Sequence, residues 1–284
     1  MEIDWTIIFS IGGAFGAAST AQYVSHRLTG KREDQRYKKE KYQKFYSPLV
    51  FKIIKYIEAE GSKISKINRS INPDPDLIFA SIITSVEENI QYANSVFIII
   101  YEETKTLEMI ANSDDDPTRD FLNYRKFDSY LNAFEQFFTD YLIISKDLKI
   151  LSIKLEEEEK QSIAIIKLYN LFDKYSFLDT AEVLFAFGKF IVHQGNIDIF
   201  IKKLDDVEEI TDNNFKPYKQ TRDPIHNDCF DELFTLLQEM VALDNRLFKY
   251  TEISIKDALH EDIALMNWRM KRRINISRID NFNF

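Results

Sequence analysis

The sequence predicts an all-α fold in which one N-terminal transmembrane helix is followed by a multi-helix cytoplasmic domain. The 284 residues include only 7 Gly and 6 Pro, whereas average usage would give roughly 20 and 14, so tight turns are few and the elements are long. Residues 5–24 carry no charged side chain, and a helix of that length spans about 30 Å, the thickness of a bilayer's hydrocarbon core. In the rest of the chain apolar residues recur with the period of a helix, without regularly alternating strands.

The flanks of the apolar segment predict its orientation. Trp5 and Tyr23 stand at its two ends, where aromatic rings favour the headgroup level. Glu2 and Asp4 precede it and a basic stretch follows it, so the positive-inside rule places the N-terminus outside and the domain in the cytoplasm. We therefore predict that residues 1–27 form a membrane anchor. A cleaved signal peptide and a Gly-rich helix buried inside a soluble protein are the alternatives.

Small residues inside the segment predict association between anchors. Gly12 and Gly16 form a GxxxG pattern, and Thr20 continues it at the same spacing. The three positions share one helix face, on which two backbones approach closely in lipid. The pattern predicts a homo-oligomer, although glycine is also common in membrane helices that remain single.

Basic residues are concentrated at two places. Between Arg27 and Lys44, eight Lys and Arg face three acidic residues, and five Lys and Arg lie between Arg269 and Arg278. The whole chain nevertheless has a net charge of −9, so the body is acidic. We predict residues 28–46 to be a basic juxtamembrane helix or linker, where each Lys or Arg gains about 1 kcal/mol from anionic lipid. The residues predicted to contact lipid headgroups are Arg27, Lys31, Arg32, Lys38, Lys39, Arg272 and Arg273.

Residues 47–284 are predicted to be the helical cytoplasmic domain. Pro48 predicts a break or kink between Tyr46 and Pro48, with a new helix from Ser47. The apolar run at 96–101 is interpreted as part of a helix and not as a strand, because the helical period continues through it. The further predicted helices are 77–111, 121–151, 155–175, 179–190, 197–210, 228–250 and 254–274.

The helix at 121–151 carries the clearest core pattern. Its apolar side chains recur at i, i+3, i+4 and i+7, which is one face of a helix, and we expect them to form core rather than a ligand cavity. They are Phe127, Tyr130, Leu131, Phe134, Phe137, Phe138, Tyr141 and Leu142.

The sequence contains few motifs that are typical of catalytic or metal-binding sites. The single cysteine excludes a disulfide framework within the chain, and no P-loop, HExxH or GxSxG motif occurs. His226 and Cys229 could share a metal ion, but the sequence designates no further ligands, so neither a metal nor a cofactor is predicted. His260, Glu261 and Asp262 are consecutive helical residues that point about 100° apart, and we expect a solvated surface there.

Arg222 and His226 supply the only resemblance to a known family. The pair resembles the Arg-x(4–6)-His motif of all-helical HEPN ribonucleases, although here three residues separate the two side chains instead of four to six. The resemblance implies that these residues act on an RNA phosphodiester.

Taken together, the sequence predicts a protein that acts through contacts with another protein, whose identity the sequence does not designate. The abundance of Ile, Lys, Asn and Phe is typical of low-GC bacteria and their phages, in which such architectures resemble membrane-bound regulators or host–phage conflict factors. The alternatives are an oligomerising membrane-disrupting effector and a HEPN-like ribonuclease. We do not expect nucleic-acid binding, because the acidic body would repel a phosphate backbone.

Overall fold

The structure is a computed structural model that describes residues 29, 31–65, 74–111, 119–192, 196–214, 230–242 and 248–270. Within these ranges the regular elements are all helices, which confirms the predicted all-α class. The helices are α1 (residues 31–41), α2 (Ser47–Ser65), α3 (Pro75–Asn89), α4 (Ser95–Ala111), α5 (Arg119–Leu148), α6 (Ile153–Lys174), α7 (Leu178–Val192), α8 (Ile197–Asn214), α9 (Asp231–Ala242) and α10 (Phe248–Met270).

A π-helical turn joins α1 to α2. It covers Tyr42–Tyr46, and the Ser47 N–H donates to the carbonyl of Tyr42, five residues back. Pro48 has no N–H for the α-helical bond to Lys44, and its ring would clash with that carbonyl. The wider turn accommodates the proline. The helix type thus changes beside the predicted position and α2 begins at Ser47 as predicted, while the backbone stays helical through the proline.

The predicted single helix 77–111 is two helices. α3 ends at Asn89, a short 3₁₀ turn follows at Ile90–Tyr92, and α4 begins at Ser95. Asn94 starts α4, because its side-chain oxygen accepts a hydrogen bond from the Phe97 N–H at 3.0 Å and so satisfies a donor at the helix start. Residues 96–101 lie inside α4, so their interpretation as helix is confirmed.

Most neighbouring helices are antiparallel, with α4 against α5, α5 against α6 and α6 against α7. α8 packs on α6 and runs parallel to it. α10 packs mainly on α7 and begins at Phe248, so the predicted boundary between helices 228–250 and 254–274 was too late.

Aromatic rings fill the core. Phe137 of α5 is fully buried, and its ring centroid lies 5.8 Å from Phe45 and 5.3 Å from Tyr46. Phe177 and Phe230 form a second centre at 5.0 Å, edge to face. Such pairs stabilise beyond the area that they bury. The predicted stripe of α5 is confirmed as core, with Phe127 and Leu142 partly buried and the other six residues fully buried.

None of the described helices is long and apolar enough to cross a membrane. The predicted anchor at residues 5–24 lies outside the described ranges.

Candidate functional site

An open groove of about 780 Å³ lies between α4, α5, α6 and α8. Most of its lining residues are of polar or charged type, and α5 and α6 supply most of them through residues spaced three or four apart, which share one helix face. The lining residues are Glu103, Thr106, Leu107, Arg125, Asp128, Ser129, Asn132, Glu135, Lys167, Asn170, Leu171, Asp173, Lys174 and Glu208.

A ladder of ion pairs holds α6 and α8 together beside the groove. Lysines at every seventh residue of α6 meet aspartates at every seventh residue of α8, because a seven-residue repeat returns to nearly the same face of a helix. The N–O distances are 2.8 Å for Lys160–Asp198, 2.8 Å for Lys167–Asp205 and 2.7 Å for Lys174–Asp212.

The two lysines in the groove wall are each shared by two carboxylates. Lys167 lies 2.8 Å from Asp205 and 3.5 Å from Glu135. Lys174 also lies 2.7 Å from Glu208. Five of the eight charged lining residues are acidic, and Asp205 and Asp212, next to the lining, add two further carboxylates at the lysines. This excess of acidic side chains favours a cationic ligand.

Asp128 lies at the floor of the groove and is only 6% exposed. Its Oδ1 accepts a hydrogen bond from the Tyr169 hydroxyl at 2.7 Å, whereas its Oδ2 has no hydrogen-bond partner among the described residues. Burial raises the pKa of Asp128 to about 6, against the lowering effect of the Tyr169 bond. Arg125, one turn earlier on α5, also lowers this pKa.

Two amides lie beside this carboxylate. The Asn170 amide donates to the Asn132 side-chain oxygen at 2.9 Å and to Glu135 at 3.3 Å, which fixes both side chains across the α5–α6 boundary. The groove therefore offers carboxylate and amide oxygens, the groups that receive ammonium and guanidinium donors. No group of His, Cys, Asp and Glu among the described residues could hold a metal ion.

Asp262 corrects the expected solvated surface near the C-terminus. The residue is 1% exposed, and its carboxylate accepts the backbone N–H groups of Asp179 at 3.1 Å and Thr180 at 2.9 Å. A side chain of α10 thus caps the first turn of α7. Burial raises the pKa of Asp262 to about 6 even though these bonds favour the carboxylate.

The predicted lipid-contact residues of α1 are exposed, and one of them makes an ion pair. Lys31, Arg32, Lys38 and Lys39 lie on the surface, and Lys38 pairs with Asp147 of α5. The other predicted site residues are outside the described ranges. These are Gly12, Gly16, Thr20, Arg27, Arg222, His226, Cys229, Arg272 and Arg273.

Sequence reasoning missed the groove, because four helices contribute to it. One signal was present on α5, where Asp128, Asn132 and Glu135 follow one another at helical spacing beside the aromatic stripe. Polar residues at such spacing are common on exposed faces, so the pattern became informative only once α6 lay against it.

Comparison with known families, curated proteins and solved structures finds no match for this chain. The site's geometry and the sequence therefore carry the functional argument.

Proposed function

We propose that the chain is a membrane-anchored helical protein that acts by binding a basic segment of a partner protein in the groove between α4, α5, α6 and α8. The single observation that carries the proposal is the acidic groove with Asp128 at its floor. Residues 5–24 would anchor the chain, with the N-terminus outside and the domain in the cytoplasm. The exposed basic surface of α1 agrees with a position beside an anionic leaflet.

Charge and hydrogen bonding support a basic partner. Carboxylates on both walls attract Lys and Arg side chains during encounter, and electrostatic complementarity raises both the association rate and the specificity. The Asn132 and Asn170 side chains add neutral hydrogen-bonding groups. The same charge disfavours nucleic acid, whose phosphates need unpaired cations, whereas Lys167 and Lys174 are both bound to carboxylates.

A photo-cross-linking amino acid in place of Asn132, which is exposed in the groove, tests the proposal in the full chain within cells. We expect a discrete adduct in the membrane fraction. Adding Asp128→Asn and Asp173→Asn should lower the adduct yield roughly tenfold, because two carboxylates that would meet the basic segment are neutralised. Immunoblotting quantifies the adduct and mass spectrometry reads the cross-linked peptide.

The matched control carries the same cross-linker in place of Glu88, an exposed residue of α3 that does not line the groove. The proposal predicts no adduct at that position and a Lys- or Arg-rich cross-linked peptide at Asn132. Equal adducts at both positions, or an acidic peptide at Asn132, would contradict it.

A further inference from the structure

The end of the molecule formed by the α5–α6 connection lies toward the N-terminal end of α1. Going backward from the π-helical turn into α1, Tyr46 packs on Phe137, the Tyr42 hydroxyl lies 3.4 Å from that of Tyr141, and Lys38 pairs with Asp147. The α5 residue number rises as the α1 residue number falls. The two helices are therefore antiparallel, and α1 leads past the C-terminal end of α5.

α1 continues past the level of the Lys38–Asp147 pair. The eight residues from Lys31 to Lys38 are helical, and the seven steps between them cover about 10 Å at 1.5 Å per residue. α5 ends at Leu148, close to the level of the Lys38–Asp147 pair. A membrane reached by the residues before Lys31 would therefore face this end of the domain.

The connection has the composition of a membrane-surface contact. Residues 149–154 read Lys-Ile-Leu-Ser-Ile-Lys and contain no acid; we name them the α5–α6 tip. Ile150 is 47% and Ile153 is 80% exposed, while Lys149 and Lys154 flank them and are also exposed. Exposed apolar side chains between cations are typical of segments that lie in the lipid interface.

The backbone turns sharply at Lys149. Its φ of 57° is left-handed, the conformation that glycine usually supplies after a helix. The Lys149 N–H donates to Lys146 at 3.0 Å and the Ile150 N–H donates to Ser145 at 3.1 Å, which closes the helix. A lysine thus occupies a position that favours glycine, and it adds an exposed cation to the turn.

Several acidic residues next to the tip make ion pairs. Glu156, one turn into α6, lies 3.2 Å from Lys146 and 3.1 Å from Lys160. Asp147 pairs with Lys38, and Glu158 lies 3.9 Å from Lys154 of the tip, whereas Glu157 is exposed. The pairs reduce the repulsion between the flanking acids and an anionic surface, so the lysines of the tip can approach it.

We propose that the α5–α6 tip rests on the anionic lipid surface beside the anchor, with α1 inclined toward the bilayer so that the tip reaches it, Ile150 and Ile153 in the headgroup region, and Lys149 and Lys154 against lipid phosphates. This inference depends on the membrane anchor of the proposed function. It gives the cytoplasmic domain a second contact with the bilayer, so that two points hold its orientation.

Quenching by labelled lipid tests the contact in the full chain. With Cys229→Ser removing the only native cysteine, Ser152→Cys carries an environment-sensitive fluorophore at the tip. The chain is reconstituted in phosphatidylcholine vesicles containing headgroup-level nitroxide lipid, with or without phosphatidylglycerol. We expect quenching at least about threefold stronger than at Ser176→Cys, and stronger still with phosphatidylglycerol.

Ser176 is the matched control because it follows the other end of α6, whose 22 residues span about 33 Å. A second variant adds Ile150→Ser and Ile153→Ser to the tip label, and the excess quenching should disappear while the circular dichroism of the domain is unchanged. These are exposed positions, so the fold does not depend on them.

Flotation of the same samples separates this inference from the proposed function. Chains that float with vesicles but show equal quenching at Ser152→Cys and Ser176→Cys would overturn the tip contact and leave the anchor standing. A blue-shifted tip label without lipid quenching, which indicates a protein contact, would also overturn it. Failure of the chain to float would overturn both.

Discussion

Glu159 of α6 is the most completely buried carboxyl group among the described residues. It is 0% exposed, and neither of its oxygens has a hydrogen-bond partner among them. Burial, together with the charges of Glu156 and Glu158, raises its pKa to about 8, and Lys146 opposes this shift. The group is therefore mostly protonated at pH 7, because an ionised carboxylate without partners is costly to bury.

This pKa predicts how stability depends on pH. The folded pKa lies above the ordinary value of 4.5, so the contribution of Glu159 is complete below pH 4.5 and is lost as the pH rises through 8. Glu159→Gln removes the titration. We expect the variant to match the parent chain at pH 4.5 and to exceed its free energy of unfolding by about 2–4 kcal/mol at pH 8. Urea denaturation followed by circular dichroism in mild detergent measures the difference.

Glu157→Gln is the control, since it removes the same charge from an exposed neighbour on α6. Its effect should stay within about 0.5 kcal/mol at both pH values. A pH-independent difference between Glu159→Gln and the parent chain would show that Glu159 is ionised in the folded state.

At the scale of elements, α6 and α7 pack closely at one glycine. A methyl group added at Gly188 of α7 would lie 2.8 Å from Cγ1 and 3.0 Å from Cγ2 of Ile165 on α6. These distances are shorter than van der Waals contact, so Gly188→Ala would force the helices or the isoleucine to move. Overpacking of this kind costs about 1–3 kcal/mol, although alanine favours the helix itself.

We therefore expect Gly188→Ala to lower the free energy of unfolding by about 1–2 kcal/mol in urea denaturation. Ile165→Ala opens space for the new methyl group, so the two changes together should cost less than their sum. Gly61→Ala in α2 is the control, because its nearest atom, the Phe185 carbonyl oxygen, is 3.4 Å away and the contact is ordinary. That variant should be neutral or more stable, and an equal loss at both glycines would exclude the clash.

The helices also show which structural features the sequence could predict. The period of apolar residues correctly predicted α5 and its core face, because one helix contains the whole signal. The break before α4 was missed, since a single asparagine at 94 starts the new helix without interrupting the apolar period. The burial of Asp262 was missed for another reason. Its two partners belong to α7, more than eighty residues earlier, and no local pattern connects them.

The groove also depends on packing between helices that are distant in the sequence. Its lining comes from four helices, and only their packing brings Asp128 of α5 close to Tyr169 of α6. What the sequence could predict was the acidic character of the body, which follows from composition. The place where that charge concentrates depends on which faces meet in the folded chain.

For the whole molecule, the anchor predicts self-association. If Gly12 and Gly16 let two anchors approach, Gly12→Leu with Gly16→Leu should weaken the dimer at least roughly tenfold, because the larger side chains separate the backbones. Cross-linking of membranes at graded expression measures the dimer fraction. Ala14→Leu, on the other face of the segment, is the control and should leave the dimer unchanged. If neither change alters the dimer fraction, the contact between the two chains does not involve Gly12 and Gly16.

The three ion pairs between α6 and α8 do not by themselves fix the position of α8 along α6. Both sets of charges recur every seven residues. Shifting α8 along α6 by seven residues would therefore re-form two of the three ion pairs. A contact that does not repeat is needed to select one position, and Glu208 provides it. Glu208 lies 2.7 Å from Lys174, whereas residue 201, seven positions earlier, is an isoleucine. Attraction between the charges brings the helices side by side, and this pair distinguishes the observed position from those shifted by seven residues.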